Sequence, residues 1–375
     1  MANSYKQRAE EILKLAGNTV NGDRPYDLQV HDERVYQRLF ADGTLGLGES
    51  YMDGWWDVKD LPDFFYRALR AGLYGEVATF GTLWLALRAR FINRQTGTRA
   101  FEVGEKHYDI GNDLFKTMLD SRMIYSCGYW SSPANPAKNL DEAQEAKLDL
   151  ICRKIGLETG QTVLDIGCGW GGFLKFSAEK YGVKGVGITV SKEQAALARE
   201  NCKGLPIEIR VEDYRDTTGQ FDHVVSVGMF EHVGPKNYRT YFKKVRSLLK
   251  DDGIFLLHTI GSLVSTLKAD AWLDRYIFPN GVVPSIAQIG PDMEKVFHME
   301  DWHSFGVDYD TTLMQWWANF DRAWPILKDK YGERFYRMWK YYLLGCAGSF
   351  RARDSELWQL VLTKRGIVGG YKSVR

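Results

Sequence analysis

Apolar residues recur at helical spacing over residues 5–15, 61–73 and 79–92, so the chain is expected to open with amphipathic helices. Between the first two lies LGLGESYMDGWW, residues 45–56, whose glycines and clustered aromatics predict loop rather than helix. The polar run NRQTGTRA, residues 93–100, has no periodicity and reads as a linker. Beyond residue 101 the pattern changes. Short apolar strands are predicted at 162–166, 184–190, 207–211, 223–227 and 254–258. Helices are predicted over 140–155, 172–181 and 238–249, with another starting at Ser191. Strands alternating with helices mean a mostly parallel, doubly wound sheet. Residues 262–360 read as aromatic and helical, and are expected to cover one end of that sheet. The expected organisation is α/β, with a small mainly helical N-terminal domain over 1–92, a linker over 93–105 and the sheet domain over 106–375.

Length supports two domains, because 375 residues can bury a large core and exceed one typical domain. The formal net charge is +1, which offers no electrostatic argument for a nucleic-acid partner, and none is expected. Aromatics are abundant, with 12 Trp, 20 Tyr and 19 Phe. They fit either a large core or a pocket for a long apolar or cationic group. The five cysteines, Cys127, Cys152, Cys168, Cys202 and Cys346, include no Cys-x-x-Cys pair. Neither a disulfide framework nor a bound metal is expected, and a reducing compartment is. The first 17 residues carry charges throughout and no apolar core, unlike a signal peptide. No apolar run approaches the ~18 residues of a membrane span, so a lipid substrate would be met from outside the bilayer.

The strongest local signal is VLDIGCGWGG, residues 163–172, where a strand runs into glycines and a helix follows. Glycines allow a tight turn and close approach of backbone to a ligand. Gly167, Gly169 and Gly172 also satisfy the dinucleotide spacing, so NAD has to be weighed. Two features oppose it. Asp165 sits inside the strand, two residues before the first glycine, as in methyltransferases, where it organises the loop around the amino-acid end of the cofactor. The second strand ends in Thr189 rather than in the acid that an NAD ribose requires.

Further motifs stand in order along the chain: KHYDIGNDLF (106–115), YSCGYW (125–130), GMFEHVGPKNY (228–238), LLHTIG (256–261), YIFPNG (276–281) and DYDTTL (308–313). With the glycine turn they resemble the cyclopropane fatty acid synthase family, from about residue 25 to the C-terminus. Enzymes of that family acting on carrier-bound mycolic acid precursors generally lack the extra N-terminal domain, so this chain resembles the bacterial phospholipid-modifying branch. The resemblance implies a Rossmann-like methyltransferase that uses S-adenosylmethionine to build a cyclopropane ring on the cis double bond of phospholipid acyl chains. Cysteine usage and the lack of a signal peptide lead to a cytoplasmic protein, and a lipid substrate then to transient, peripheral contact with the phospholipid bilayer at its inner face. The absence of catalytic motifs over 1–92 and the linker near residue 95 lead to an N-terminal domain for membrane docking and assembly. The resemblance implies a homodimer. It also implies cofactor contacts. Tyr125 and Ser126 match the carboxylate end, and Gly167 the methionine part, with Asp165 and Gly169 in the same turn. Thr189 and Gln194 match the ribose, and Asp213 and Tyr214 the adenine edge.

An alkene needs no deprotonation before it attacks a sulfonium methyl, so no nucleophile–base pair is required. The protein must align the alkene, exclude water and tolerate a carbocation, for which aromatic faces are suited. Trp130, Trp272, Tyr276, Phe278, Trp316 and Trp317 are candidates. A base must then take a proton so that the ring closes. The family resemblance implies bound bicarbonate, held by Cys127, Glu231, His258, Tyr309 and the backbone of Ile260. Thiol, imidazole, phenol and amide supply donors to an anion, while Glu231 would orient the ion and accept its proton. Taken singly, Cys127 reads as a buried small residue, His258 as a strand-end histidine with its bonds satisfied, and Glu231 as an acid at a helix start. Cys346 and His232 read as structural. Residues 79–93 place Trp84, Leu85 and Leu87 beside Arg88, Arg90 and the following Arg94, which fits an interfacial helix or a core helix with a basic outer face. The alternatives are a lipid methyltransferase leaving a methyl branch or hydroxyl, and a non-catalytic lipid-binding protein.

Overall fold

The computed structural model describes residues 2–73, 111–133 and 136–375. The expected helix over 79–92, its interfacial reading, the 93–105 linker and the start of KHYDIGNDLF lie outside the described residues. The chain forms two compact units, one drawn from 1–92, 267–279 and 309–355, the other from 93–266, 280–308 and 356–375.

In the first unit, helices α1 (Ala2–Leu15), α2 (Arg34–Asp42), α3 (Thr44–Met52) and α4 (Leu61–Arg70) are joined by loops and a two-strand ribbon of β1 (Gln29–Val30) and β2 (Trp56–Asp57). Helix α4 starts where the Asp60 side chain accepts from the Asp63 amide, with Pro62 in its first turn and Arg67 and Arg70 in its last. Helix α3 corrects the loop expected over 45–56. Its glycines are sites of close packing rather than breaks. A Cβ on Gly46 would collide with the Arg38 carbonyl, and one on Gly48 with the Trp272 indole.

In the second unit, α5 (Asn112–Met118) and α6 (Leu140–Lys154) precede β3 (Thr162–Ile166), α7 (Gly172–Tyr181), β4 (Lys184–Thr189) and α8 (Lys192–Asn201). Then come β5 (Ile207–Val211), β6 (Phe221–Val227), α9 (Tyr238–Leu248) and β7 (Leu249–Ser262). Ser191 caps α8 by accepting from the Gln194 amide, as expected for a helix starting there. Beyond β7 lie α10 (Ala271–Tyr276), α11 (Ile286–Met293), β8 (His298–Ser304), α12 (Val307–Tyr331), α13 (Glu333–Ala352) and β9 (Ser355–Thr363).

The sheet order is β5-β4-β3-β6-β7-β9-β8. Strands β3 to β7 pair in parallel, and β8 pairs antiparallel with β9. Central β3 is buried on both faces: Leu164 and Ile166 join a core with α9, while Val163 joins another with α6, α7 and α8. This is the doubly wound arrangement that the strand–helix alternation implied.

Strands β8 and β9 correct the helical reading of 262–360. Polar side chains on β8 are satisfied by partners remote in sequence, which erases any periodic signal. Glu300 accepts from the Thr363 hydroxyl, and Asp301 pairs with Arg375. Of the helices in that region, α11 belongs to the second unit, and α10, α13 and most of α12 to the first. There the Tyr341 ring packs against Tyr51, Trp56, Phe65 and Trp272, with centroids 4.6–6.2 Å apart. Each unit combines early and late segments of the chain, whereas the sequence leads to successive stretches of 1–92, a 93–105 linker and 106–375. Hydrophobic burial drives this, because the apolar faces of α3 and α4 are covered by α13.

Candidate active site

The order of the sheet reverses between β3 and β6, so the carboxyl ends of these strands frame a crevice. Two loops meet there. The turn after β3 holds Gly167, Gly169 and Gly171, all with positive φ. The turn after β6 holds Gly228 and Met229, and a Cβ on Gly167 would lie 2.7 Å from the Met229 Cβ. Gly167 is thus required by both conformation and space. Gly169 differs, since a Cβ there would meet no atom of the described residues within 4 Å. Its backbone borders open space, which suits close approach of a ligand.

Asp165 is the penultimate residue of β3, just before this turn. It is buried, and its Oδ1 has no hydrogen-bond partner among the described residues. Burial raises its pKa to about 7, against the opposing pull of Lys147. Lys147 is itself wholly buried on α6, and its ammonium donates to the Ser126 hydroxyl at 2.8 Å. Desolvation lowers its pKa to about 8, opposed by Asp120, Cys127 and Asp165. On the same helix Gln144 donates to the Ser126 carbonyl at 2.8 Å. The 125–131 segment is further held by Asp308, whose Oδ2 accepts from the Trp130 and Ser131 amides and the Ser131 hydroxyl. Tyr125 packs edge-on against Phe115, which in turn contacts Trp170 of the glycine turn.

At the end of β4, the Thr189 hydroxyl donates to Gln194 Oε1 at 3.0 Å and accepts from the Ser191 amide. Both Thr189 and Gln194 are buried. At the end of β5 the Asp213 carboxylate pairs with Arg215 at 2.8 Å, and Tyr214 packs edge-on against Tyr241. The nine residues expected to hold the cofactor thus lie at or just beyond the carboxyl ends of β3, β4 and β5 and on the 125–131 segment. Asp165, Thr189 and the glycine turn are brought together by adjacent strands.

Glu231 follows β6 in a short 3-10 turn and is buried. Its Oε1 accepts from the Ile260 amide at 2.7 Å, while Oε2 has no partner among the described residues. Burial raises its pKa to about 7, partly offset by the Ile260 hydrogen bond. The Ile260 backbone therefore serves Glu231 first, which refines its expected part as an anion ligand. His258 lies two residues earlier on β7, on the same strand face. Its Nδ1 is 3.2 Å from Gln359 Nε2, and its Nε2 has no partner among the described residues. Burial holds the imidazole neutral, reinforced by Lys147, Lys154 and His303. Cys127 is buried, with its thiol donating to the Gly128 carbonyl at 3.1 Å. A carboxylate oxygen of Glu231 and an imidazole nitrogen of His258 are thus both buried without partners among the described residues. Such groups are costly to bury unless something else satisfies them.

Tyr309 belongs to the other unit, where its ring stacks on Phe350 at 4.5 Å. Trp272 and Trp316 are fully buried there, as core, whereas Trp130, Tyr276, Phe278 and Trp317 are half-buried. Cys346 is a free thiol whose pKa burial pushes up to about 12. His232 is held neutral, burial lowering its pKa to about 4.

Lys147, Gln144, Asp308 and Gln359 were not singled out in the sequence. A signal existed for the first two. Leu140, Ala143, Gln144, Lys147, Leu148 and Ile151 form one helical stripe, so both polar residues sit where apolar ones are expected. Gln359 likewise interrupts the apolar run LWQLVL.

The chain is similar to known proteins. The family model for mycolic acid cyclopropane synthetase matches residues 95–360. A cyclopropane-fatty-acyl-phospholipid synthase of Escherichia coli is 53% identical over 98% of this chain and 95% of that protein. The structure of the cyclopropane synthase MmaA2 from Mycobacterium tuberculosis superposes with a TM-score of 0.66 at 31% identity, covering 70% of this chain and 98% of that one. A mycolic acid cyclopropane synthase crystallised with SAH and CTAB superposes equally well, with the same identity and coverage. Matched over most of its length by the model and nearly all of it by a relative, this chain belongs to the mycolic acid cyclopropane synthetase family.

Proposed function

We propose that this chain transfers a methylene group from S-adenosylmethionine to the cis double bond of unsaturated phospholipid acyl chains, forming a cyclopropane ring. The observation that carries the reading is its near-full-length relatedness to a cyclopropane-fatty-acyl-phospholipid synthase. S-adenosylmethionine, when bound, supplies an electrophilic sulfonium methyl. The open backbone at Gly169 and the unpartnered Asp165 oxygen fit such a ligand. Tyr125, Ser126, Asp165, Gly167, Gly169, Thr189, Gln194, Asp213 and Tyr214 would hold it.

The chain's own work is to position, exclude water and manage one proton. Half-buried aromatics tolerate positive charge on the acyl chain. Bicarbonate, when bound, supplies a small replaceable base that a nearby cation cannot alkylate permanently. Cys127, Glu231 and His258 would hold it, with Ile260 fixing Glu231; Tyr309, which the family resemblance also implies, belongs to the other compact unit. The orphaned Glu231 Oε2 and His258 Nε2 support this reading. A carboxyl whose pKa is about 7 can take up a proton and release it near neutral pH.

Among the described residues no helix is long and apolar enough to cross a membrane. We propose that the protein is cytoplasmic, acts as a homodimer, and visits the inner face of the bilayer peripherally. Residues 1–92 would serve docking and assembly. Flotation of the full-length chain with liposomes of varied headgroup charge tests the membrane contact, and sedimentation tests the dimer.

Mass spectrometry of phospholipids from cells with and without the protein tests the reaction. One CH₂ gained per unsaturated chain, with loss of the double bond, is the expected outcome. A methyl branch or hydroxyl would favour a related lipid methyltransferase. Cofactor binding with unchanged lipids would favour a non-catalytic lipid-binding protein.

A further inference from the structure

We infer that Gln359 is a positioning residue that fixes the imidazole tautomer of His258, keeping Nδ1 as an acceptor and Nε2–H as a donor. Strand β9, which carries Gln359, lies next to β7, which carries His258. The amide nitrogen of Gln359 is 3.2 Å from His258 Nδ1. Gln359 is 0% exposed and His258 1%, so water does not compete for this bond.

As oriented, the Gln359 amide turns its NH₂ to the ring and leaves its buried Oε1 without a partner among the described residues. An NH₂ only donates, so in this orientation Nδ1 presents its lone pair. The ring is neutral in this buried setting, and its single proton therefore sits on Nε2. The Phe305 ring, 6.0 Å from the imidazole and set edge-on, holds the ring plane, and Phe305 is itself tied by its amide to the Leu357 carbonyl at 3.1 Å. His258 Nε2 is buried without a partner among the described residues. An Nε2–H in that position is a donor suited to a small anion.

Glutamine and glutamate at 359 would have opposite effects. A carboxylate there would accept from Nδ1–H and move the bare lone pair to Nε2, which repels an anion. The tautomer itself does not depend on the bicarbonate reading; only the use made of Nε2–H rests on it.

The test uses full-length protein labelled with ¹⁵N at its seven histidines. Long-range ¹H–¹⁵N correlation spectra report which ring nitrogen is protonated, and loss of signals in His258→Gln assigns them. Wild type should show a protonated Nε2 and a bare Nδ1. Gln359→Glu should reverse this, and Gln359→Leu should give a mixture. Turnover should fall roughly 10- to 100-fold in both, with KM for S-adenosylmethionine unchanged. A wild-type Nδ1–H tautomer overturns the proposal even if neither variant folds. So does an unchanged tautomer with near-wild-type turnover in Gln359→Glu. If the tautomer switches as described but turnover ignores dissolved bicarbonate, the positioning role stands and the base reading falls. If turnover depends on bicarbonate but the tautomer is the opposite one, the base reading stands and the positioning role falls.

Discussion

The ammonium of Lys147 and the hydroxyl of Ser126 are 2.8 Å apart, and both side chains are buried. This bond ties α6 to the segment proposed to hold the carboxylate end of the cofactor. It also places a positive charge among Asp120, Asp165 and Cys127. Replacing Lys147 by Met keeps the apolar stem and removes the donor and the charge. A hydrogen bond involving a charged group contributes about 1.5–3 kcal/mol, so affinity for S-adenosylmethionine should fall at least about tenfold. Isothermal titration calorimetry measures this, and unchanged affinity in a folded variant would remove Lys147 from the site.

Gly169→Val should abolish cofactor binding without unfolding the protein. The new Cβ meets no atom of the described residues within 4 Å, so its bulk enters the space assigned to the ligand. The positive φ of 52° adds roughly 1–2 kcal/mol of strain, which a large domain survives. Calorimetry together with circular dichroism separates the two effects; a folded variant with wild-type affinity refutes the placement.

The pH dependence of turnover should report Glu231. Below about pH 7 its carboxyl is protonated and cannot accept a proton. At constant bicarbonate concentration, kcat should therefore rise as pH increases through about 7. Glu231→Gln should be slower and lack that rise, with cofactor affinity retained. Stability runs the other way. The folded pKa lies above the ordinary 4.5, so the folded state binds more protons between pH 4.5 and about 7. The stabilisation this gives is present below pH 4.5 and lost as pH rises through about 7. Urea titrations across that window should show a shallower pH slope for Glu231→Gln.

His258→Ala removes one donor, and loss of an anion-site donor typically costs about 10²–10³ in rate. Cys127→Ser should be milder, since a hydroxyl still donates. Rigorous removal of dissolved carbonate should slow the His258 variant more than wild type, and added bicarbonate should restore the rate. Near-wild-type cyclopropanation by both Glu231→Gln and His258→Ala would place the base elsewhere.

Deleting residues 1–92 should yield an insoluble fragment rather than an independent catalytic domain. Tyr341 and Trp272 would lose Tyr51, Trp56 and Met52 as partners and expose a large aromatic surface. Gly48→Ala tests the same packing more gently. Its methyl would collide with the Trp272 indole, and such overpacking costs about 1–3 kcal/mol. Thermal unfolding of the full-length chain should show the loss, and an unchanged midpoint would contradict it.

The local chemistry of the sheet was legible in the sequence. Strand β3, its glycine turn and α7 follow from an apolar run, glycines that permit positive φ, and an apolar helical stripe, all close together along the chain. Thr189 could be placed at a strand end and Asp165 inside the strand before the turn, because such features are local. His258, expected to close a strand over 254–258, lies inside β7, and Glu231, expected at a helix start, lies in a 3-10 turn. What tertiary structure alone decided depends on partners distant along the chain. Helix α3 forms despite Gly46 and Gly48 because α10 and α13 pack against it, a gain that local propensity cannot register. Strand β8 keeps polar residues because Arg375, Thr363 and Lys154 satisfy them. The proton on His258 is assigned by Gln359, 101 residues away, across a bond that exists only once β7 and β9 share a sheet. Periodicity reports what a segment buries; which groups meet in the buried space is set by the sheet order, and through it the charge and tautomer that the chemistry requires.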